Sequence, residues 1–124
     1  MSIPVDLAHL ASALADFGDG YLLTTSADGR VKAVTVSATV EDGVVSVPGP
    51  SRGTSANLAS NEAATLLFPP RDPQGHTLLV DGTATPTEEG FELRPASAVL
   101  HRPAAHSDDP EAGSRGCGHD CAPV

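Results

Sequence analysis

Residues 21–47, YLLTTSADGRVKAVTVSATVEDGVVSV, decide the fold of this chain, because apolar and polar side chains alternate around two turn signals. Asp28-Gly29 is the strongest short signal of a β-hairpin turn, and Glu41-Asp42-Gly43 marks a second turn. We therefore expect three antiparallel strands in a meander, at 21–27, 31–40 and 44–47. In the middle strand one face carries Val34, Val36, Ala38 and Val40.

The rest of the chain continues the β pattern after one N-terminal helix. An apolar stripe with spacings of three and four predicts a helix over about 4–16. Residues 48–61 interrupt the strands, and a short helix is expected there with Thr54 or Ser55 as its N-cap. Further strands are predicted at 63–68, 76–87, 91–95 and 97–103. Gly82 is expected at a bulge or a point of close packing. So many short strands favour closure into a small barrel, which removes exposed sheet edges.

The composition suits one globular domain. The 124 residues carry a net charge of −9, from 16 acidic and 7 basic residues. Such a surface repels a phosphate backbone, which argues against nucleic-acid binding. No apolar run reaches the roughly 20 residues that cross a bilayer, and no basic segment followed by an apolar block indicates a secretory signal. We expect a cytoplasmic protein with no membrane partner.

Several landmarks along the chain resemble the pyridoxamine 5′-phosphate oxidase-like family of FMN-binding split β-barrels. They are Asp28-Gly29-Arg30, Asp42-Gly43, Asn57-Leu58 followed by Asn61, and Gly82-Thr83-Ala84. The resemblance covers about residues 5–103. It implies a mainly β fold: a small antiparallel split β-barrel of Greek-key type, with an N-terminal helix and one short inserted helix. Residues 1–103 would form this flavin-binding-like domain, and residues 104–124 a polar, acidic tail.

Members of this family are usually homodimers that bind FMN, or a deazaflavin analogue, in a groove between two barrels. Their phosphate loop often reads Arg-x-Lys-x-x-Asn-Leu. In this chain Arg52 matches the arginine of that pattern, and Asn57-Leu58 matches its final Asn-Leu. Thr54 stands at the position of the lysine, so the charge-assisted hydrogen bond of a lysine is lost. The resemblance implies phosphate contacts from Ser51, Arg52, Thr54, Ser55 and Asn57, and ring contacts from Thr35 and Ser37.

Other interpretations of the same residues stay open. A stretch such as Arg52–Ser55 is also typical of an ordinary N-capped loop with a solvated arginine, and the Asn57 amide equally suits a loop carbonyl. No nucleophile elbow is present, so no catalytic residue is assigned. This is compatible with a flavin-dependent oxidoreductase acting on an unknown small molecule, where the cofactor carries the redox chemistry. It is equally compatible with no catalysis.

The C-terminal tail contains both cysteines of the chain, in CGHDC at 117–121. In an extended segment Cys117, His119 and Cys121 project to one side, and two thiolates with an imidazole suit Zn²⁺ or Cu⁺. A fourth ligand would come from His106, His101, Asp120, a partner subunit or water. The Cys-x₃-Cys spacing also suits a small disulfide loop, or two thiols without a role. The alternative function is a non-enzymatic metal-binding split barrel.

Overall fold

The computed structural model describes residues 2–49 and 51–103, which form eight strands and two α-helices. The strands are β1 (Ser2–Pro4), β2 (Gly20–Thr25), β3 (Val31–Val36), β4 (Thr39–Glu41), β5 (Val44–Pro48), β6 (Ala63–Phe68), β7 (Thr77–Pro86) and β8 (Gly90–His101). A 3₁₀ turn, Leu7–His9, precedes α1 (Leu10–Leu14), and α2 is Arg52–Ser60. Among these residues, no helix combines the length and apolar content that crossing a bilayer requires.

The strands form one antiparallel sheet in the order β3-β2-β6-β7-β8-β5-β4, and β1 also pairs with β8. The two end strands of this order, β3 and β4, are connected by only Ser37 and Ala38. Such a link spans at most about 11 Å, so the sheet must curve until its ends approach each other. The fold is a small antiparallel barrel split between β3 and β4, which confirms the predicted fold class.

The predicted three-strand meander is wrong in one respect. β2 and β3 pair across the Asp28-Gly29 hairpin as expected. However, residues 31–40 form two strands, and β5 pairs with β4 and β8 rather than with β3. Burial alternates without interruption from Val34 to Val40. Periodicity therefore indicates the buried face of a segment but not the point at which it changes partners.

The N-terminal helix is shorter than the predicted residues 4–16. Pro4 belongs instead to β1, which extends beside β8. The Asp6 side chain then caps the 3₁₀ turn by accepting a hydrogen bond of 3.0 Å from a backbone N–H two residues on. Helical structure therefore begins only after Asp6. It still buries the predicted apolar stripe through Leu10 and Leu14.

Gly82 lies at a register shift between β7 and β8, as the sequence predicts. Its partner is Pro95, and the shift leaves Ala96 as the extra residue of a β-bulge. A Cβ on Gly82 would collide with the backbone of β8. The prediction of separate strands at 91–95 and 97–103 is wrong, because the bulge accommodates the proline within one continuous strand.

The barrel interior consists mainly of aliphatic side chains, with Phe68 and Phe91 as its large aromatic members. Phe17, just after α1, packs on Phe68 with ring centroids 6.4 Å apart, so the N-terminal helix is held to the core by an aromatic contact. α2 contacts β2 and β7 and buries Thr54 and Leu58. This packing fixes the start of α2 relative to the β2–β3 hairpin.

Candidate functional site

The predicted phosphate loop leads directly into α2. Ser51 is the N-cap: its backbone is extended (φ −147°, ψ 119°), and its Oγ accepts a hydrogen bond from the Thr54 amide at 3.3 Å. The predicted N-caps, Thr54 and Ser55, are wrong, because both already lie inside the helix. Serine is a favoured N-cap since its short side chain reaches back to these amides. The first turn therefore contains Arg52, Gly53 and Thr54.

The start of α2 offers backbone N–H groups that the helix itself does not use. The Ser55 amide donates to the Ser51 carbonyl at 2.9 Å, and the Thr54 amide is satisfied by the N-cap. The amides of Arg52 and Gly53 have no carbonyl one turn earlier in the helix. The helix dipole adds partial positive charge at this end. This turn consequently suits an anion.

Arg52 adds a full positive charge to the turn. It is exposed, and no carboxylate among the described residues lies within 4.0 Å of its guanidinium. Arg30 differs, because it pairs with Asp28 at 3.5 Å. An arginine without an ion pair retains its planar set of five donors for an external carboxylate or phosphate.

Lys32 lies against the same turn although it belongs to β3. A Cβ built on Gly53 would lie 2.8 Å from the Cε atom of Lys32 and 3.2 Å from its Nζ atom. The lysine side chain therefore occupies space that glycine leaves open. Sequence reasoning missed Lys32. The available signal was its register, because Lys32 lies on the same side of β3 as Val34 and Val36, although it is itself exposed.

A hydrogen bond between side chains anchors α2 to the strands. Asn57 Nδ2 donates to Thr24 Oγ1 at 3.1 Å, and Thr24 is buried. Thr24 is also the cross-strand partner of Lys32. The bond therefore ties α2 to the strand pair that carries the lysine. The partner of Asn57 is thus a side-chain hydroxyl rather than the loop carbonyl considered from the sequence.

The Thr54 hydroxyl is a buried donor without a partner among the described residues. Thr54 is 1% exposed, and its Oγ1 atom has no hydrogen bond within the described part of the chain. An unsatisfied buried hydroxyl costs about 1–3 kcal/mol. The Oγ1 atom is enclosed by the protein, so an external ligand does not contact it in this conformation.

The two residues predicted to approach the flavin ring lie apart from α2. Thr35 is exposed on the outer face of β3, where it pairs with Tyr21. Ser37 Oγ donates to the Asp19 carboxylate at 2.6 Å. Along an extended strand Thr35 lies about 10 Å from Lys32. Thr35 and Ser37 are therefore separate from the predicted phosphate contacts. The structure places those contacts together at α2 and its N-cap: Ser51, Arg52, Thr54, Ser55 and Asn57.

Two concave surfaces lie away from the α2 turn. The larger, of about 620 Å³, includes Ser37 and three carboxylates, those of Glu88, Glu89 and Glu92. Its negative charge disfavours a phosphate group. The smaller, of about 310 Å³, lies between α1 and residues 38–40. Neither surface includes Arg52 or Lys32, so the positive charge beside α2 lies outside both of these clefts.

The predicted metal ligands Cys117, His119 and Cys121 lie outside the described residues, as does the whole segment 104–124. Of the candidate fourth ligands, His101 is described: it is exposed at the end of β8, with Nδ1 3.2 Å from Ser2 Oγ. Within 2–49 and 51–103, no three side chains of His, Cys, Asp or Glu are grouped as a metal site requires. The tail site stays a prediction.

Sequence comparison identifies two close relatives. The chain is 38% identical over 133 residues to an uncharacterized protein of Mycobacterium bovis, Mb0449c, and equally to one of Mycobacterium tuberculosis, MT0457. Each match covers 94% of this chain and 92% of the relative. No family model matches the sequence.

Solved structures share the fold at low sequence identity. The FAD-binding protein from Mycobacterium smegmatis has a TM-score of 0.60 at 15% identity, covering 82% of this chain and 100% of its own. A candidate pyridoxamine 5′-phosphate oxidase from Listeria innocua has a TM-score of 0.56 at 12% identity, covering 77% and 92%. A heme-binding protein from Mycobacterium smegmatis has a TM-score of 0.54 at 17% identity, covering 82% and 53%. The chain therefore belongs to the family of the two mycobacterial relatives, and its fold is the split β-barrel of the pyridoxamine 5′-phosphate oxidase-like type.

Proposed function

We propose that the protein is a homodimeric flavin-binding oxidoreductase that holds the phosphate of FMN, or of a deazaflavin analogue, at the first turn of α2. The observation that carries the proposal is this turn. It combines a helix start capped by Ser51 with an exposed arginine that has no carboxylate within 4.0 Å among the described residues. Shared fold with an FAD-binding protein and a candidate pyridoxamine 5′-phosphate oxidase supports a flavin.

The donors of the turn fit a phosphate monoester. Such a group carries about −1.5 to −2 charges near pH 7 and accepts several hydrogen bonds. The free amides of Arg52 and Gly53, the guanidinium and the Ser55 hydroxyl are available to it. Ser51 and Asn57 are already engaged, with the Thr54 amide and with Thr24. In this proposal these two residues therefore shape the turn.

The dimer contact is proposed on an apolar row that crosses the outside of the sheet. In cross-strand register the row consists of Tyr21, Leu67, Leu79 and Val99. Tyr21 is 41% exposed, and a second copy would cover it. Thr35 is the neighbour of Tyr21 on β3, so it would lie at the edge of a groove between the two copies, where the flavin ring is proposed to bind.

In this arrangement a bound flavin would supply the redox chemistry, and the chain would supply position. The α2 turn would hold the phosphate end, while the apolar row would exclude water from the ring. Ser37 follows Thr35 on the same face, about 7 Å further along, and contributes to the cleft that contains three glutamates. Their charge favours a neutral or cationic substrate over an anionic one.

Heme is the other cofactor named among the structural neighbours, and the described residues favour it less. Heme iron requires an axial side chain such as histidine. The described histidines, His9, His76 and His101, border neither of the two concave surfaces. A flavin requires no such ligand, since phosphate contacts and a flat apolar surface suffice.

The test is flavin binding by freshly purified protein. We expect flavin absorbance in protein from its native host, and quenching of FMN fluorescence with a rise in Tm when FMN is added to apoprotein. Absence of all three signals would refute the proposal, and absorbance typical of bound heme would favour heme. Turnover is tested separately, by whether bound flavin, once chemically reduced, is reoxidised by organic acceptors faster than free reduced flavin.

A further inference from the structure

We propose that Lys32 supplies the second positive charge of the phosphate site and makes the site selective for flavins that carry a phosphate. The inference rests on the proposed function, and it concerns how that function is retained without the family's lysine. Thr54 stands at the position of that lysine and contributes no charge. Lys32 comes from a different element, β3, and reaches the same turn.

The packing of Lys32 on Gly53 carries the proposal. The end of the lysine side chain lies against the Cα atom of Gly53. A Cβ built on Gly53 would lie 2.8 Å from the Cε atom of Lys32 and 3.2 Å from its Nζ atom. Gly53 follows Arg52 and offers one of the free amides at the start of α2. The ammonium group therefore lies close to Gly53, a residue whose amide the phosphate would use.

The position of Lys32 is supported from the strand side as well. Its cross-strand partner Thr24 accepts the hydrogen bond from Asn57 of α2. This bond connects α2 to β2, and β2 pairs with β3 at the position of Lys32. Lys32 is exposed, and the end of its side chain lies against Gly53 at the helix start.

The charge of Lys32 is not neutralised within the described part of the chain, where no carboxylate lies within 4.0 Å of it. The same holds for Arg52. Two cations beside one helix start repel each other, and a dianionic phosphate relieves that repulsion. In the same hairpin, Arg30 is paired with Asp28 at 3.5 Å. It therefore serves as a matched control for loss of one positive charge.

The experiment compares FMN with riboflavin, which has the same ring and no phosphate, by fluorescence titration of wild type, Lys32→Met, Lys32→Arg and Arg30→Met. We expect Lys32→Met to raise the Kd for FMN about ten- to a hundredfold while the Kd for riboflavin changes less than about twofold. Lys32→Arg should retain most of the preference for FMN, and Arg30→Met should leave it unchanged. The salt dependence of FMN binding should be shallower in Lys32→Met.

Gly53→Ala provides a second variant that changes no charge. Alanine is about 1 kcal/mol more favourable than glycine in a helix, so Tm should be maintained or rise. The added methyl displaces the lysine side chain, so FMN affinity should fall with riboflavin affinity unchanged. Opposite directions for stability and FMN affinity would separate this effect from damage to the fold.

The outcomes distinguish the inference from the function on which it rests. If wild type binds neither flavin, both fail. If wild type prefers FMN and Lys32→Met keeps the same FMN-to-riboflavin ratio, the role of Lys32 is overturned while flavin binding stands. A ratio that falls in Lys32→Met and Gly53→Ala but not in Arg30→Met supports the inference.

Discussion

Asn57 and Thr24 are joined by a side-chain hydrogen bond of 3.1 Å between residues 33 positions apart in sequence. The bond connects α2 to β2 at a buried site directly across from Lys32. The turn proposed to hold a phosphate therefore depends on a contact made by two elements of different type. The first prediction follows from this contact.

Replacing Asn57 by alanine leaves the Thr24 hydroxyl buried without its partner. We expect the free energy of unfolding, measured by urea denaturation, to fall by about 1–3 kcal/mol, and FMN binding to weaken. Ser60→Ala, at an exposed position on the same helix, is the control and should change stability by less than about 0.5 kcal/mol. Equal stability of the two variants would contradict the anchoring role of Asn57.

Two substitutions of Ser51 separate helix capping from anion binding. Ser51→Ala removes the N-cap and should cost about 0.5–2 kcal/mol of stability. Ser51→Asp retains a cap and suits the helix dipole, so stability should be kept. Its carboxylate would repel a phosphate at the same turn, and we expect FMN affinity to fall at least about tenfold. An aspartate variant that binds FMN like wild type would show that the phosphate binds elsewhere.

Gly82→Ala should destabilise the barrel. The added Cβ would collide with backbone atoms of Arg94 and Pro95, which cannot move without disturbing the β7–β8 pairing. We expect a loss of at least about 2 kcal/mol in thermal or chemical unfolding. Gly18→Ala is the control, because no atom lies within 4 Å of its added Cβ. Equal effects at both positions would argue against the described bulge.

Tyr21→Glu tests the proposed dimer surface. A carboxylate in the middle of the apolar row would be buried unpaired between two copies, which is strongly unfavourable. We expect light scattering to report a shift from dimer to monomer, with weaker FMN binding. Ser12→Glu, exposed on α1, should leave both properties unchanged. A Tyr21→Glu protein that stays dimeric would place the contact on another surface.

The double substitution Cys117→Ser/Cys121→Ser tests the tail as a metal site. If the tail binds Zn²⁺ or Cu⁺ through its thiolates, metal analysis of the purified proteins should show bound metal in wild type and little in the variant. His119→Ala should give an intermediate loss. Equal metal content in wild type and the double variant would end this hypothesis, and FMN binding should be the same in both.

The sequence by itself determined the features that depend on neighbouring residues. The turns at Asp28-Gly29 and Asp42-Gly43 form as predicted, with positive φ at Gly29 (86°), Asp42 (53°) and Gly43 (77°). These residue types adopt such backbone conformations at low cost. The alternation along β3 likewise identified its buried face, because successive side chains of a strand point to opposite sides.

Only the tertiary structure decided which distant segments meet. β5 pairs with β8 rather than with β3, and the Lys32 side chain lies against Gly53. The residue spacing within a single strand or helix predicts neither of these contacts. Periodicity reports the orientation of a side chain relative to its own strand or helix. The distant segment that a strand or side chain contacts depends on how the whole sheet closes. In this protein the closure is set by the short link between β3 and β4 at Ser37 and Ala38. The arginine of the candidate site was therefore accessible from sequence, whereas its lysine became visible only in the folded chain.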